Sequence, residues 1–192
     1  MRSLEDWELV ALAKQGNREA FHNLVERYKS PIYTLCLYLT RNVQNAEDLV
    51  QETFIRLYKN LNHIEPKAQF KTFILGIARN LALNQIRNEK RKNNFLARLF
   101  NKINSNYEEQ VNYKSEMWPP DEKQEFTAVV QQCMLELSTE HREILILRET
   151  QGLDYESIAK ILGCRVGTVR SRLARARAQL RKIILEKGIT IQ

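Results

Sequence analysis

The sequence predicts an all-α protein made of two small helical domains joined by a flexible linker. Three observations point there. Only six Gly and four Pro are spread over 192 residues, too few for a turn-rich β architecture. Apolar residues recur at steps of three and four, the spacing of one helix face. No stretch sustains the apolar-polar alternation of a half-buried strand.

The first element is short. Leu9-Val10-Ala11-Leu12-Ala13-Lys14-Gln15 runs into Gly16, the residue favoured just past a helix C-terminus. Asn17 then suits the N-cap of a second helix, with Glu19 near its positive end. Ser30-Pro31 reads as an N-cap followed by a first-turn proline, so a kink or restart is expected there. Phe21, Leu24, Val25, Tyr28, Ile32, Leu35, Cys36 and Leu39 draw one apolar stripe. A second runs Ala46, Leu49, Val50, Thr53, Phe54, Leu57, Tyr58, Leu61, and a third Phe70, Phe73, Ile74, Ile77, Ala78, Leu81. Three such helices and the short leading one can share a core, giving a helical bundle over residues 1–95.

Composition shifts next. Residues 87–102 carry Arg87, Lys90, Arg91, Lys92, Arg98 and Lys102 against Glu89 alone; residues 103–125 turn polar and acidic around Pro119-Pro120. The charge reversal and weak periodicity mark a linker over 96–125, with a short helix near Phe95–Phe100. Helical spacing resumes at Val129, Val130, Cys133, Met134 and Leu137, opening a second domain over 126–192.

That domain holds the most informative stretch. Ser138-Thr139-Glu140 starts a helix through Ile144-Leu145-Ile146-Leu147, which Gly152 ends. Asp154 caps Tyr155–Leu162, Gly163 permits a sharp turn, and a further helix opens at Val166. Ala159 stands where two helices would cross, and Val169 packs the second back on the first. This is the pattern of a helix-turn-helix. From 165 to 187 there are eight basic residues and one acid, Glu186. Arginine at the start of such a helix can pair with guanine in the major groove, and its neighbours can hold phosphates. Arg165, Thr168, Arg170, Ser171, Arg172, Arg175 and Arg177 are the candidate DNA contacts.

The net charge of +7 and a pI near 9.4 make the chain basic. The apolar runs fall short of the roughly 18 residues that span a bilayer, and the start shows no secretory pattern, so a cytoplasmic chain is expected. Cys36, Cys133 and Cys164 lie far apart and are odd in number, which offers neither a disulfide framework nor a metal clamp. His22, His63 and His141 lack ligand spacing. No phosphate loop, nucleophile elbow or zinc-protease motif occurs, so no catalysis, cofactor, metal or small-molecule substrate is expected.

Residues 138–182 resemble the promoter-binding region 4 of bacterial RNA polymerase sigma factors. Asn45-Ala46-Glu47-Asp48-Leu49-Val50-Gln51-Glu52-Thr53-Phe54 resembles region 2.2 of that family. Phe70-Lys71-Thr72-Phe73-Ile74, Ile77-Ala78-Arg79-Asn80 and Asn84 are similar to regions 2.3 and 2.4. With so short a linker, the extracytoplasmic-function group is the one resembled. The resemblance implies that Asp48, Gln51 and Glu52 dock on the β′ clamp helices of core polymerase. Glu47, Asp48, Gln51, Glu52 and Arg56 do fall off the apolar stripe, although Asn45 and Asp48 are also placed to form a capping box. It further implies that Asn80 and Asn84 lie near a pocket for an extruded −10 base, with Arg79 and Arg87 available to the DNA backbone. Stacking faces and amide donors suit separated bases. The loop Asn62–Ala68 matches the one that tunes base choice, but Pro66 and Lys67 stand where Gly-Asp is frequent, which leaves the −10 sequence open. Phe73 replaces the usual Trp and reads as core packing. Lys67 joins the −10 candidates.

Two promoter elements two helical turns apart lie roughly 70 Å from each other, and some 30 extended residues reach about 100 Å. The second domain has a size at which a lone core is marginal, so the polymerase β flap or an anti-sigma factor is expected to steady it. The competing reading is a stand-alone helix-turn-helix regulator that binds operator DNA as a dimer, which would give tight palindromic binding without polymerase.

Overall fold

The computed structural model describes residues 4–66, 69–100 and 124–188, and all regular structure among them is helical. Helices α1 (Asp6–Lys14), α2 (Arg18–Thr40), α3 (Val43–Lys59) and α4 (Phe70–Phe100) form the first half, with a 3₁₀ turn at Leu61–His63. Helices α5 (Gln124–Glu136), α6 (Thr139–Leu145), α7 (Tyr155–Leu162) and α8 (Val166–Glu186) form the second.

Local chemistry sets most boundaries. Asn17 caps α2, its side chain accepting from the Ala20 N–H at 3.0 Å; before it, Gly16 sits at φ +88°, the left-handed conformation that closes α1. Ser138 caps α6 and Asp154 caps α7, accepting from His141 N and Ser157 N. Gly163 turns the chain at φ +64°. A Cβ there would meet nothing within 4 Å, so glycine is favoured by the backbone conformation and not by space.

Three expectations need correction. Helix α2 runs through Pro31 without restarting. Proline withholds one N–H, while Tyr28, Ile32 and Leu35 continue a single buried stripe across it. Helix α3 begins at Val43, with Asn42 as its cap accepting from Asn45 N at 2.8 Å. Asn45 and Asp48 therefore form no capping box; the Asp48 carboxylate accepts from Gln44 Nε2 at 3.3 Å. Finally, α4 continues unbroken to Phe100, so no separate helix stands near 95 and that boundary falls inside a helix. Most of the expected linker, residues 101–123, lies outside the described residues.

The core of the first half gathers Leu24, Ile32, Leu35, Leu57, Ile74 and Ala78, all fully buried. The Phe70 ring anchors it, meeting Trp7 edge-on at 5.5 Å and Tyr28 at 5.2 Å between centroids. Tyr28 also hydrogen-bonds Asp6, and burial followed by that bond raises its phenol pKa well above the ordinary value. In the second half, Ile144, Leu147, Ile158, Val169 and Leu173 close the space between α6, α7 and α8. A π-helical turn at Ile146–Thr150 follows α6, and no sequence signal announced it.

The two halves are not separate beads. Helix α4 lies against α7, α2 lies against α6, and the buried apolar residues of both halves form one continuous cluster. At the seam stands Arg142, whose side chain is fully buried. Its guanidinium donates to the carbonyls of Met134 (2.9 Å), Leu135 (3.0 Å), Leu137 (2.6 Å) and, across the seam, Tyr38 (2.8 Å). One cation thus serves carbonyls near the C-terminal ends of both α5 and α2, where helices leave oxygens unpaired and the dipole is negative.

Capping yields a first prediction. The hydrogen bond from Ser157 N lowers the Asp154 carboxyl pKa from its ordinary value, outweighing the opposing effect of desolvation. A depressed carboxylate stabilises the fold above its unfolded pKa, and that contribution fades as pH falls through the lower folded value. Asp154→Ala is expected to cost about 1 kcal/mol at neutral pH and less in acid. Urea unfolding of both chains at the two pH values checks it; an equal cost at both removes the carboxylate from the account.

Candidate nucleic-acid interface

Helix α8 packs Val169, Leu173 and Ala176 inward against α6 and α7. The helical period then turns Arg165, Arg170, Ser171, Arg175 and Arg177 outward, where all are exposed; Thr168 and Arg172 are half-buried at the flank. The N-cap is Arg165 itself, without a side-chain cap hydrogen bond, and the first turn holds no acid. That end of the helix is therefore electropositive, an arrangement suited to a phosphate. Tyr155, at the start of α7, lies under two guanidinium groups: Arg148 at 5.0 Å and Arg170 at 5.9 Å from its ring centre. Arg175 donates to the Ser171 carbonyl at 3.3 Å. Arg177 is engaged by Glu149 at 2.6 Å in an exposed pair.

A second surface lies between α3, the 3₁₀ turn and α4. An open depression of about 520 Å³ has Leu57, Phe73 and Ile77 as its apolar wall and Arg56, Asn60, His63, Glu65 and Asn80 as its polar lining. Flat apolar faces ringed by amide and charged groups can stack a base and read its edge. Phe73 is half-buried, packing against the core while also lining this space. A neighbouring depression of about 450 Å³ joins Asp48 and Glu52 on α3 to Asn84 and Lys92 on α4. Asn84, one turn along α4 from Asn80, lines this depression beside the acidic candidates. Glu52 is bridged to Arg56 at 2.7 Å, and Arg87 donates to Asn84 at 3.4 Å. Gln51 is exposed. Lys67 lies outside the described residues.

Arg79 is placed differently. It faces the second half of the chain and pairs with Glu143, Nε to Oε1 at 2.6 Å. Neither Glu143 nor Arg142 was singled out from sequence, because both sit in a turn that reads as an ordinary capped, charged helix start.

Among the described residues no group of three or more His, Cys, Asp or Glu is placed to hold a metal, and no helix is long and apolar enough to cross a membrane. Burial pushes the Cys36 thiol up to about 12 and also raises Cys133, which suppresses the reactive thiolate.

Comparison with known proteins follows the same division. The family profile described as Sigma-70 region 2 matches residues 24–92, and that described as Sigma-70, region 4 matches residues 127–180. The chain is 33% identical over 175 residues to the ECF RNA polymerase sigma factor SigW of Bacillus subtilis, covering 90% of this chain and 93% of that protein. It belongs to the ECF sigma factors. It is also 33% identical over 183 residues to the ECF RNA polymerase sigma-E factor of Haemophilus influenzae, covering 92% and 94% of the two chains. The sigma factor RpoE from Bartonella quintana, solved in complex with the anti-sigma factor NepR, superposes with a TM-score of 0.66 at 25% identity, over 85% of this chain and 96% of that one. CnrH, solved with the cytosolic domain of CnrY, shares the fold with a TM-score of 0.65 at 23% identity, over 93% and 96%.

As a sigma factor the chain binds RNA polymerase and brings it to promoters to initiate transcription; it is a non-catalytic subunit. The alternative of a stand-alone dimeric regulator gives way, since a region 2 match accounts for residues such a regulator would not need.

Proposed function

We propose that residues 126–192 of this sigma factor read a −35 element through α8, while residues 1–95 dock on core polymerase and capture and help melt a −10 element. The observation that carries this is the exposed arginine face of α8, beside a turn that orients it as a groove-reading helix. Arg170 and Arg175 are the base-edge candidates; Arg165, Thr168, Ser171, Arg172 and Arg177 hold the backbone. Asn80 serves the depression beside Phe73, with Arg79, Arg87 and Lys67 for nearby phosphates. Asp48, Gln51 and Glu52 meet the β′ clamp, and the β flap holds the second domain. The protein works in the cytoplasm, and an anti-sigma factor sequesters it, as NepR accompanies RpoE in the Bartonella complex.

Two measurements test this reading. Core polymerase with this chain should protect paired −35 and −10 segments that the chain alone does not protect. Protection of both segments by the chain alone, or of only one by the holoenzyme, would overturn this assignment of the two readers. Reversing Asp48 and Glu52 to Arg should weaken core binding by at least tenfold, about 1.4 kcal/mol, with helicity unchanged because both side chains face outward. Wild-type affinity in a co-purification titration would remove α3 from the docking surface.

A further inference from the structure

The depression beside Phe73 has one wall that belongs to no α-helix. His63 and Glu65 line it, and both stand on the short connection from the 3₁₀ turn to α4. Connecting segments are ordinarily more mobile than the elements they join, so these two side chains are placed only as well as the backbone beneath them. Between them lies Ile64, extended at φ −79° and ψ 127°, its side chain buried in the bundle core together with that of Leu61. The turn closes with His63 N donating to Asn60 O at 2.9 Å and Ile64 N to Leu61 O at 3.3 Å. Pro66 follows, fixing its own φ and biasing Glu65 toward extended backbone. The Ile64 carbonyl finds its partner far away in sequence: Lys14, the last residue of α1, donates to it from Nζ at 2.6 Å across fifty positions.

From this geometry we infer that Lys14 is a positioning residue for −10 reading: by fixing the Ile64 carbonyl it sets where His63 and Glu65 stand in the depression, and with them which base the depression prefers. The inference rests on the proposed −10 role of Asn80 and its depression. Lys14 does not itself line that space, so it acts through the connection and not on the base. Its place is favourable, since a cation suits the C-terminal end of a helix and α1 packs against the 3₁₀ turn. A hydrogen bond from an ammonium is shorter and stronger than a neutral one, which makes it the firmest polar tie on this stretch of backbone. Discrimination needs reading groups held before the base arrives, because order imposed on binding is subtracted from affinity. Without the bond, buried Leu61 and Ile64 still keep the fold, while His63 and Glu65 sample more positions and accept more bases.

The test uses full-length chains and a promoter whose −10 base preferences are first mapped with wild-type holoenzyme. Lys14→Met keeps an unbranched side chain and removes the donor. Amide exchange over residues 61–65 should rise, with α2 and α3 unchanged. Open-complex formation on the preferred −10 base, relative to the other three, should fall by about threefold to tenfold, the worth of one hydrogen bond. Loss of stability in the bundle as a whole would lower initiation on every base alike and leave that ratio untouched. Binding to the −35 duplex should not change. An equal loss on all four bases would make Lys14 a phosphate contact; that result, or a wild-type ratio, overturns the positioning role. Asn80→Ala is measured beside it. Loss of base preference in Asn80→Ala alone overturns only the role of Lys14, whereas wild-type preference and opening in Asn80→Ala mean that the depression takes no base, and the proposed −10 reading falls with the inference built on it.

Discussion

Arg142→Ala is expected to lower the stability of this sigma factor by about 3–5 kcal/mol, the largest effect of any substitution considered. The guanidinium is fully buried and donates to four backbone carbonyls, two in the last turn of α5, one just beyond it and one at the end of α2. Hydrogen bonds from a charged donor contribute about 1.5–3 kcal/mol each, and a buried carbonyl left without a partner costs about 1–3 kcal/mol. Two terms pull the other way. The variant no longer desolvates a cation, worth several kcal/mol, and water can enter the space to serve some of the carbonyls. The balance still lies with loss, because two helix ends are left open together. Arg142→Lys should recover only part, since one compact ammonium has three donors and cannot fork toward four acceptors. Urea unfolding followed by circular dichroism measures both. A cost below about 0.5 kcal/mol, the range of an ordinary surface change, would mean that the carbonyls find equivalent partners without it.

Arg142 also marks where sequence reasoning stops. The apolar stripes of α2, α3 and α4 are legible because they depend on spacing within one helix. Asn17, Ser138, Asp154 and Gly163 are legible because a cap or turn is satisfied by neighbours three or four residues away. Burial of Arg142 and Glu143 depends on Tyr38 and Arg79, 104 and 64 residues distant. Within a local window those two residues read as a solvated helix start. The same limit explains Pro31: a proline after serine resembles a helix start unless the surrounding apolar contacts are known. It explains Asn42 as well, since Asn42, Asn45 and Asp48 all carry cap chemistry and only the path of the chain chooses among them. At the interface, the outward faces of α3 and α8 followed from periodicity. The depression that brings Asn60, His63 and Glu65 to Asn80 required the 3₁₀ turn to be in place, and the pairing of Arg177 with Glu149 required α8 to lie beside the π-helical turn.

That pairing separates the arginines of α8 into two classes and sets the last expectation. Arg170→Ala should weaken −35-dependent initiation by about 1–3 kcal/mol and flatten discrimination at one base pair, the cost of losing a bidentate base contact. Arg177→Ala should do less, because its charge is already met by Glu149 in an exposed pair, and such pairs contribute about 0–1 kcal/mol. Arg170 gains further from Tyr155, whose ring it shares with Arg148. A guanidinium resting on an aromatic face keeps its charge while losing some rotational freedom, so less order has to be imposed when it meets a base. Promoters substituted one pair at a time across the −35 element, transcribed by holoenzyme carrying each variant, give the comparison. If Arg170→Ala lowers transcription equally on every sequence, the residue holds phosphate only; if Arg177→Ala has the larger effect, its bond to Glu149 does not persist on DNA.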